Sequence, residues 1–139
     1  MAPSRDEREA AALFAERYGR PGSDATRDLE RVVIGSDFGA NGYTTMAQAD
    51  LLAERLELTA GKRLLDVGSG RGWPGLYLAK KTGCSVTLTD LPEEAMRSAT
   101  HRAEAEGLSG RTHVVVATAR RLPFPAASQH AIVHTDVLC

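Results

Sequence analysis

Leu64-Leu65-Asp66-Val67-Gly68-Ser69-Gly70-Arg71-Gly72-Trp73-Pro74-Gly75 is the stretch on which the fold turns. An apolar run ends in an aspartate, glycines follow at 68, 70 and 72, and Pro74 suits the first turn of a helix. Without Cβ atoms the backbone there can turn tightly and approach a ligand closely. A second carboxylate, Asp90, follows 18 residues after Gly72 and closes the next apolar run. At the carboxyl end of a neighbouring parallel strand it can accept hydrogen bonds from the vicinal hydroxyls of a ribose. Glycine loop and distal acid together read as a nucleoside pocket, although the glycines alone would also suit a tight strand-to-helix turn beside a surface aspartate.

Outward from this stretch, strand, turn and helix signals alternate, which is the pattern of parallel α/β structure. Residues 62–67 read as a first strand and residues 84–89 as a second, with Val86 and Leu88 alternating. Between them a helix carries Leu76, Leu78 and Ala79, has Lys80 and Lys81 near its negative end, and stops at Gly83. Pro92, Glu93 and Glu94 open another helix, whose apolar stripe is Met96, Ala99 and Ala103. Residues 114–116 and 131–133 are the third and fourth strands, separated by the rigid Leu122-Pro123-Phe124-Pro125 loop. The fold class is therefore a Rossmann-like parallel sheet of about four strands. Upstream, Ser4 and Glu7 stand in capping-box spacing before a helix over residues 4–18, and Ser23 caps a second over 24–34 with Leu29, Val32 and Val33 on one side. A glycine-rich loop over 35–42 leads to Thr45 and Gln48, which repeat the capping box for a helix over 46–58.

Composition narrows the partners. The 139 residues include 17 Lys plus Arg against 18 Asp plus Glu, a net charge of −1, with 42% hydrophobic and 25% charged residues. This is the make-up of a folded globular domain, with no general attraction for nucleic acid or an anionic membrane. No segment approaches the ~20 apolar residues of a membrane span, and the charged N-terminus lacks a signal-peptide core, so a cytoplasmic location is expected. Cys84 and Cys139 stand without a second pair, which argues against a disulfide scaffold or metal site.

The choice of cofactor is harder, because Gly70-Arg71-Gly72-Trp73-Pro74-Gly75 also satisfies the G-x-G-x-x-G dinucleotide pattern. Asp66 weighs against a dinucleotide, since a pyrophosphate would meet its negative charge, and Trp73 puts bulk where that group needs close helix approach. S-adenosyl-L-methionine carries an ammonium and a sulfonium instead, both of which a nearby carboxylate favours. Residues 64–79, with Asp66 and the Gly68-x-Gly70-x-Gly72 run, resemble the first motif of class I S-adenosylmethionine-dependent methyltransferases. The stretch 119–125 and the strand after it are similar to that family's loop and fourth strand in small-molecule methyltransferases.

The resemblance implies a methyl transfer from S-adenosyl-L-methionine to a small-molecule acceptor. It puts Asp66, Gly68, Ser69, Gly70 and Gly72 at the cofactor, Asp90 on the ribose, Leu91 against adenine, and Thr118 and Ala119 in the adenine-side loop. It divides the chain into residues 1–45, N-terminal helices and a gating loop, and residues 46–139, a partial Rossmann-like domain. In that gating segment Tyr43 could lie over the sulfonium. Two positions depart from the family: Thr118 replaces an acid that bonds the adenine amino group, and His130 replaces the aspartate that opens the fourth strand. If a base is needed, His134 is the candidate, near the carboxyl end of that strand, since imidazole titrates near neutrality. Asp136 reads as a helix cap. The family sheet has seven strands, so the chain is expected to be truncated after the fourth, whose open edge would pair with a second copy or a complementing chain. The competing readings are a non-catalytic S-adenosylmethionine-binding or interaction module and, less favoured, an NAD(P)-dependent oxidoreductase.

Overall fold

A computed structural model describes residues 4–40 and 42–137. In chain order the elements are α1 (Arg5–Gly19), α2 (Asp24–Val33), α3 (Met46–Arg55), β1 (Arg63–Val67), α4 (Gly75–Thr82), β2 (Ser85–Asp90), α5 (Glu93–Ala105), a 3-10 turn (Ser109–Arg111), β3 (Thr112–Val116) and β4 (Ala131–Val133). The strands form a parallel sheet in the order β3-β2-β1-β4. Because β1 is central, Leu64, Leu65 and Asp66 pair with Val86, Thr87 and Leu88 on one side and with Ala131, Ile132 and Val133 on the other.

The local signals act as the sequence indicates. Ser4 and Thr45 each complete a reciprocal capping box, with Glu7 and Gln48 respectively, and the Ser23 side chain accepts from the Thr26 N–H. Helix α4 ends at Gly83 in the left-handed conformation, φ 78°. Helix α3 is shorter than the 46–58 expected, with Leu56 as its C-cap. The core is made by Leu64, Leu76, Leu78, Val86 and Leu88, with Ala99 and Ala103 of α5. At the amino end of the sheet, Arg63 N–H donates to His130 Nδ1 at 2.9 Å, which ties the residue before β4 to the start of β1.

Helix α2 departs from its apolar reading. Leu29, Val32 and Val33 are exposed, whereas Glu30 is the helix's buried residue. The cause lies in the loop that follows: Phe38, Gly39 and Ala40 turn their N–H groups inward, and the Glu30 carboxylate accepts all three at 2.7, 2.9 and 3.2 Å. Buried amides need acceptors more than three aliphatic side chains need cover. Replacing Glu30 by Ala is therefore expected to cost about 1–3 kcal/mol, the scale of buried donors left unsatisfied. Urea denaturation measures this, and a variant as stable as the parent would show that water serves those amides equally well.

Candidate functional site

At the carboxyl ends of β1, β2 and β4 lies a cavity of about 290 Å³. Its floor is Gly68, Ser69 and Gly70, with Asp90 at one side; its walls include Phe14 and Tyr18 from α1, Ala40 and Gly42 from the loop before α3, and Thr135, Asp136 and Val137 after β4. Gly68 and Ser69 donate their N–H groups to the Thr89 carbonyl at 2.8 and 3.1 Å, which fastens the loop to the end of β2. A Cβ on Gly70 would stand 2.5 Å from the Tyr18 hydroxyl oxygen, so only glycine leaves that approach open.

The two carboxylates do different work. Asp90 is half-buried; its Oδ2 accepts from Gly70 N–H at 2.8 Å and its Oδ1 from Leu91 N–H at 2.8 Å. A carboxylate has about four acceptor sites, so two remain for a pair of ligand hydroxyls. Asp66 is fully buried beneath the loop, where its Oδ2 accepts from Gly75 N–H at 2.9 Å and its Oδ1 has no hydrogen-bond partner among the described residues. Burial raises the pKa of Asp66 well above the carboxylate range, with the charge of Asp90 adding to the shift; burial also raises that of Asp90, against its two amide donors.

This arrangement fits a phosphate-free nucleoside. The amino end of α4, where a pyrophosphate would sit, already has a carboxylate on the Gly75 amide. Trp73 is buried there, its indole N–H donating to the Thr44 carbonyl at 2.8 Å and its ring packed on Phe38 and Tyr77.

Of the residues singled out from the sequence, Gly68, Ser69, Gly70 and Asp90 line the cavity. Gly72 shapes the turn behind it, with φ 98°. Leu91 is half-buried and follows Asp90. Thr118 donates its hydroxyl to Glu7 Oε1 of α1 at 2.8 Å, and Ala119 is exposed. The Tyr43 side chain is 81% exposed and His134 is also exposed; neither is among the cavity's lining residues. Asp136, read from the sequence as a cap, has another role among the described residues: its Oδ2 accepts from the N–H groups of Tyr43 and Thr44 and from the Thr44 hydroxyl, pinning the loop over 42–44. Tyr18, Phe14 and Arg71 went unmarked, because α1 reads locally as an ordinary amphipathic helix and its placement over the glycine loop is a tertiary matter.

A family model described as a methyltransferase domain matches residues 64–139. The chain belongs to the class I S-adenosylmethionine-dependent methyltransferases. Methyltransferase GfsG of Streptomyces halstedii is 40% identical over 73 residues, 52% of this chain and 26% of that protein. The 27-O-demethylrifamycin SV methyltransferase of Amycolatopsis mediterranei is 37% identical over 84 residues, 60% of this chain and 31% of that one. Of solved structures, the cyclase SpnF matches with a TM-score of 0.60 at 32% identity, over 72% of this chain and 37% of its own. Geranyl diphosphate methyltransferase in complex with GPP and sinefungin matches with a TM-score of 0.59 at 26% identity, over 63% of this chain and 33% of its own. The chain thus spans about a fifth to a third of the curated relatives it matches. No helix among the described residues is long and apolar enough to cross a membrane.

The raised carboxylates have a testable consequence. The folded chain holds the Asp66 proton more tightly than the unfolded chain does, so this contribution is largest at low pH and is lost as pH rises from the unfolded pKa through the raised folded one. Asp66→Asn keeps an acceptor for Gly75 and removes that ionisation. Its stability relative to the parent should therefore improve as pH rises through and above the ordinary carboxylate range, as read by urea unfolding at a series of pH values. A difference independent of pH would mean that Asp66 is not destabilised by ionising.

Proposed function

We propose that this chain carries the cofactor half of a cytoplasmic methyltransferase that moves a methyl group from S-adenosyl-L-methionine to a small-molecule acceptor. The observation that carries this reading is Asp90 beside the glycine loop, with acceptor sites left over at the edge of an open cavity. The names of the curated relatives, one of which acts on a rifamycin, support a small-molecule acceptor. Residues 46–139 form the Rossmann-like part in this proposal, and residues 1–45 form the helices and loop over it.

When bound, the cofactor supplies an activated methyl group on sulfur. Asp90 receives the ribose hydroxyls, Gly68, Ser69, Gly70 and Gly72 bring the backbone close, and Leu91, Thr118 and Ala119 lie along the adenine side. Asp66 acts from below by fixing the first turn of α4. In-line displacement mainly requires alignment and exclusion of water, which Phe14, Tyr18 and Trp73 serve as apolar walls. His134 remains the group to take a proton from an acceptor that arrives from solvent, and Tyr43 is at hand on the 42–44 loop.

A second reading, a module that binds the cofactor without methyl transfer, is favoured by the likeness to a structure named as a cyclase. Formation of S-adenosylhomocysteine in the presence of a panel of small apolar acceptors separates the two. Cofactor identity is decided by titration: S-adenosylhomocysteine should raise the Tm while NAD and NADP should not, and Asp90→Ala should weaken its binding by about 1.5–3 kcal/mol. Stabilisation by NAD alone, or an Asp90→Ala variant that binds as tightly as the parent, would overturn the assignment.

Assembly is a further part of the proposal. The outer edge of β4, which pairs with β1 alone among the described residues and leaves Ile132 56% exposed, supports pairing with a second copy of the chain or with a complementing chain. Sedimentation velocity should show self-association that Ile132→Lys reduces. A parent chain that stays monomeric at all concentrations would remove this contact.

A further inference from the structure

Arg71 occupies the position between Gly70 and Gly72, and its guanidinium is spent on main-chain carbonyls. Nη2 donates to the carbonyls of Tyr18 at 2.8 Å and Arg20 at 3.2 Å, and Nη1 donates to that of Gly39 at 3.3 Å. The same group lies 5.4 Å from the centre of the Tyr18 ring. None of the ion pairs among the described residues includes it.

Each contact closes something over the cavity. Tyr18 and Arg20 stand at the carboxyl end of α1, where helix carbonyls lack intrahelical partners and a cation is favoured. Gly39 belongs to the loop that Glu30 gathers at one end and that Asp136 and Trp73 hold at the other. Helix α1 lies against α5 but buries no residue of its own, and Leu13 and Phe14 are exposed. Besides Arg71, its Glu7 takes the Thr118 hydroxyl and its Tyr18 faces Gly70.

We infer that Arg71 is a positioning residue that draws α1 and loop residues 38–40 onto the glycine loop, so that filling the cavity and ordering α1 are coupled through one guanidinium. The ligand half of this inference rests on the cofactor reading proposed above. A guanidinium is required, not simply a positive charge. Its planar fork can serve carbonyls from two segments at once, whereas an ammonium on a flexible stem is a point charge with a single centre. Bonds to neutral carbonyls also carry no opposite charge to lock them, so the clamp can open to admit a ligand and close again behind it.

Hydrogen exchange on the full chain tests this, with Arg71→Ala and Arg71→Lys beside the parent. Without ligand, amides of residues 5–19, 38–40 and 42–44 should exchange about tenfold faster or more in Arg71→Ala, the scale of lost hydrogen bonds to a charged donor, while those of β1 and β2 keep their protection. Arg71→Lys should restore little. With S-adenosylhomocysteine, the parent should gain protection at 5–19, 38–40, 42–44 and 68–72. Arg71→Ala should gain it at 68–72 only and release the ligand about tenfold faster or more. Unchanged exchange in α1, full rescue by Lys, or an increase spread evenly over the sheet would each overturn the inference. If the ligand protects nothing in the parent, the cofactor reading fails and the coupling with it, while the ligand-free comparison still decides whether Arg71 holds α1.

Discussion

One hydrogen bond that water cannot reach sets the carboxyl edge of this sheet: Gly75 N–H to the Asp66 carboxylate, 2.9 Å. It joins the end of the central strand to the first turn of the helix that follows the glycine loop. The join is tight enough that a Cβ at Gly75 would stand 2.6 Å from Asp66 Oδ2 and 2.7 Å from Leu88 Cδ2. With α4 drawn this close, Gly68, Ser69 and Gly70 have no slack and must arch toward the cavity, where Asp90 meets them. With Asp66 Oδ2 on the Gly75 amide, that donor of the helix N-terminus is already occupied and is not offered to an anion from solution. The glycine pattern is here tied to a carboxylate of its own chain, Asp90, at the edge of the cavity.

Local chemistry was legible where a residue acts on its own neighbours. Capping boxes at Ser4 and Thr45, the stop at Gly83 and the alternation of Val86 and Leu88 each depend on residues a few positions apart, and each could be placed from the sequence. The glycine loop and Asp90 were legible for a related reason: a βα unit forces them together whatever the rest of the chain does. Asp66 was visible too, but not all of its work was. The sequence marks it as a group that disfavours a pyrophosphate; the structure adds that it anchors a helix amide.

What stayed hidden depends on distant partners. Asp136 follows a strand and looks locally like a cap, yet its three donors lie on Tyr43 and Thr44. Glu30 sits in a helix whose apolar side invites burial, and the structure inverts that helix because the amides of 38–40 require an acceptor. Arg71 reads as filler between glycines until the carbonyls of Tyr18, Arg20 and Gly39 converge on it. In each case a polar group answers a backbone need created elsewhere, and hydrophobic periodicity carries no information about such needs.

The Asp136 contacts also impose an order of events. They link residues 92 and 93 positions apart, and the acceptor lies just beyond the strand that completes the observed sheet. As the chain leaves the ribosome, α3, β1 and β2 can dock while Tyr43 and Thr44 still have their amides in water. The segment in front of α3 acquires its final shape only after β4 has added to β1 and carried Asp136 to it. Loop-closure entropy makes so distant a contact a late one. This wall of the cavity therefore depends on chain that follows β4, and a chain stalled before residue 131 would lack the acceptor that shapes it.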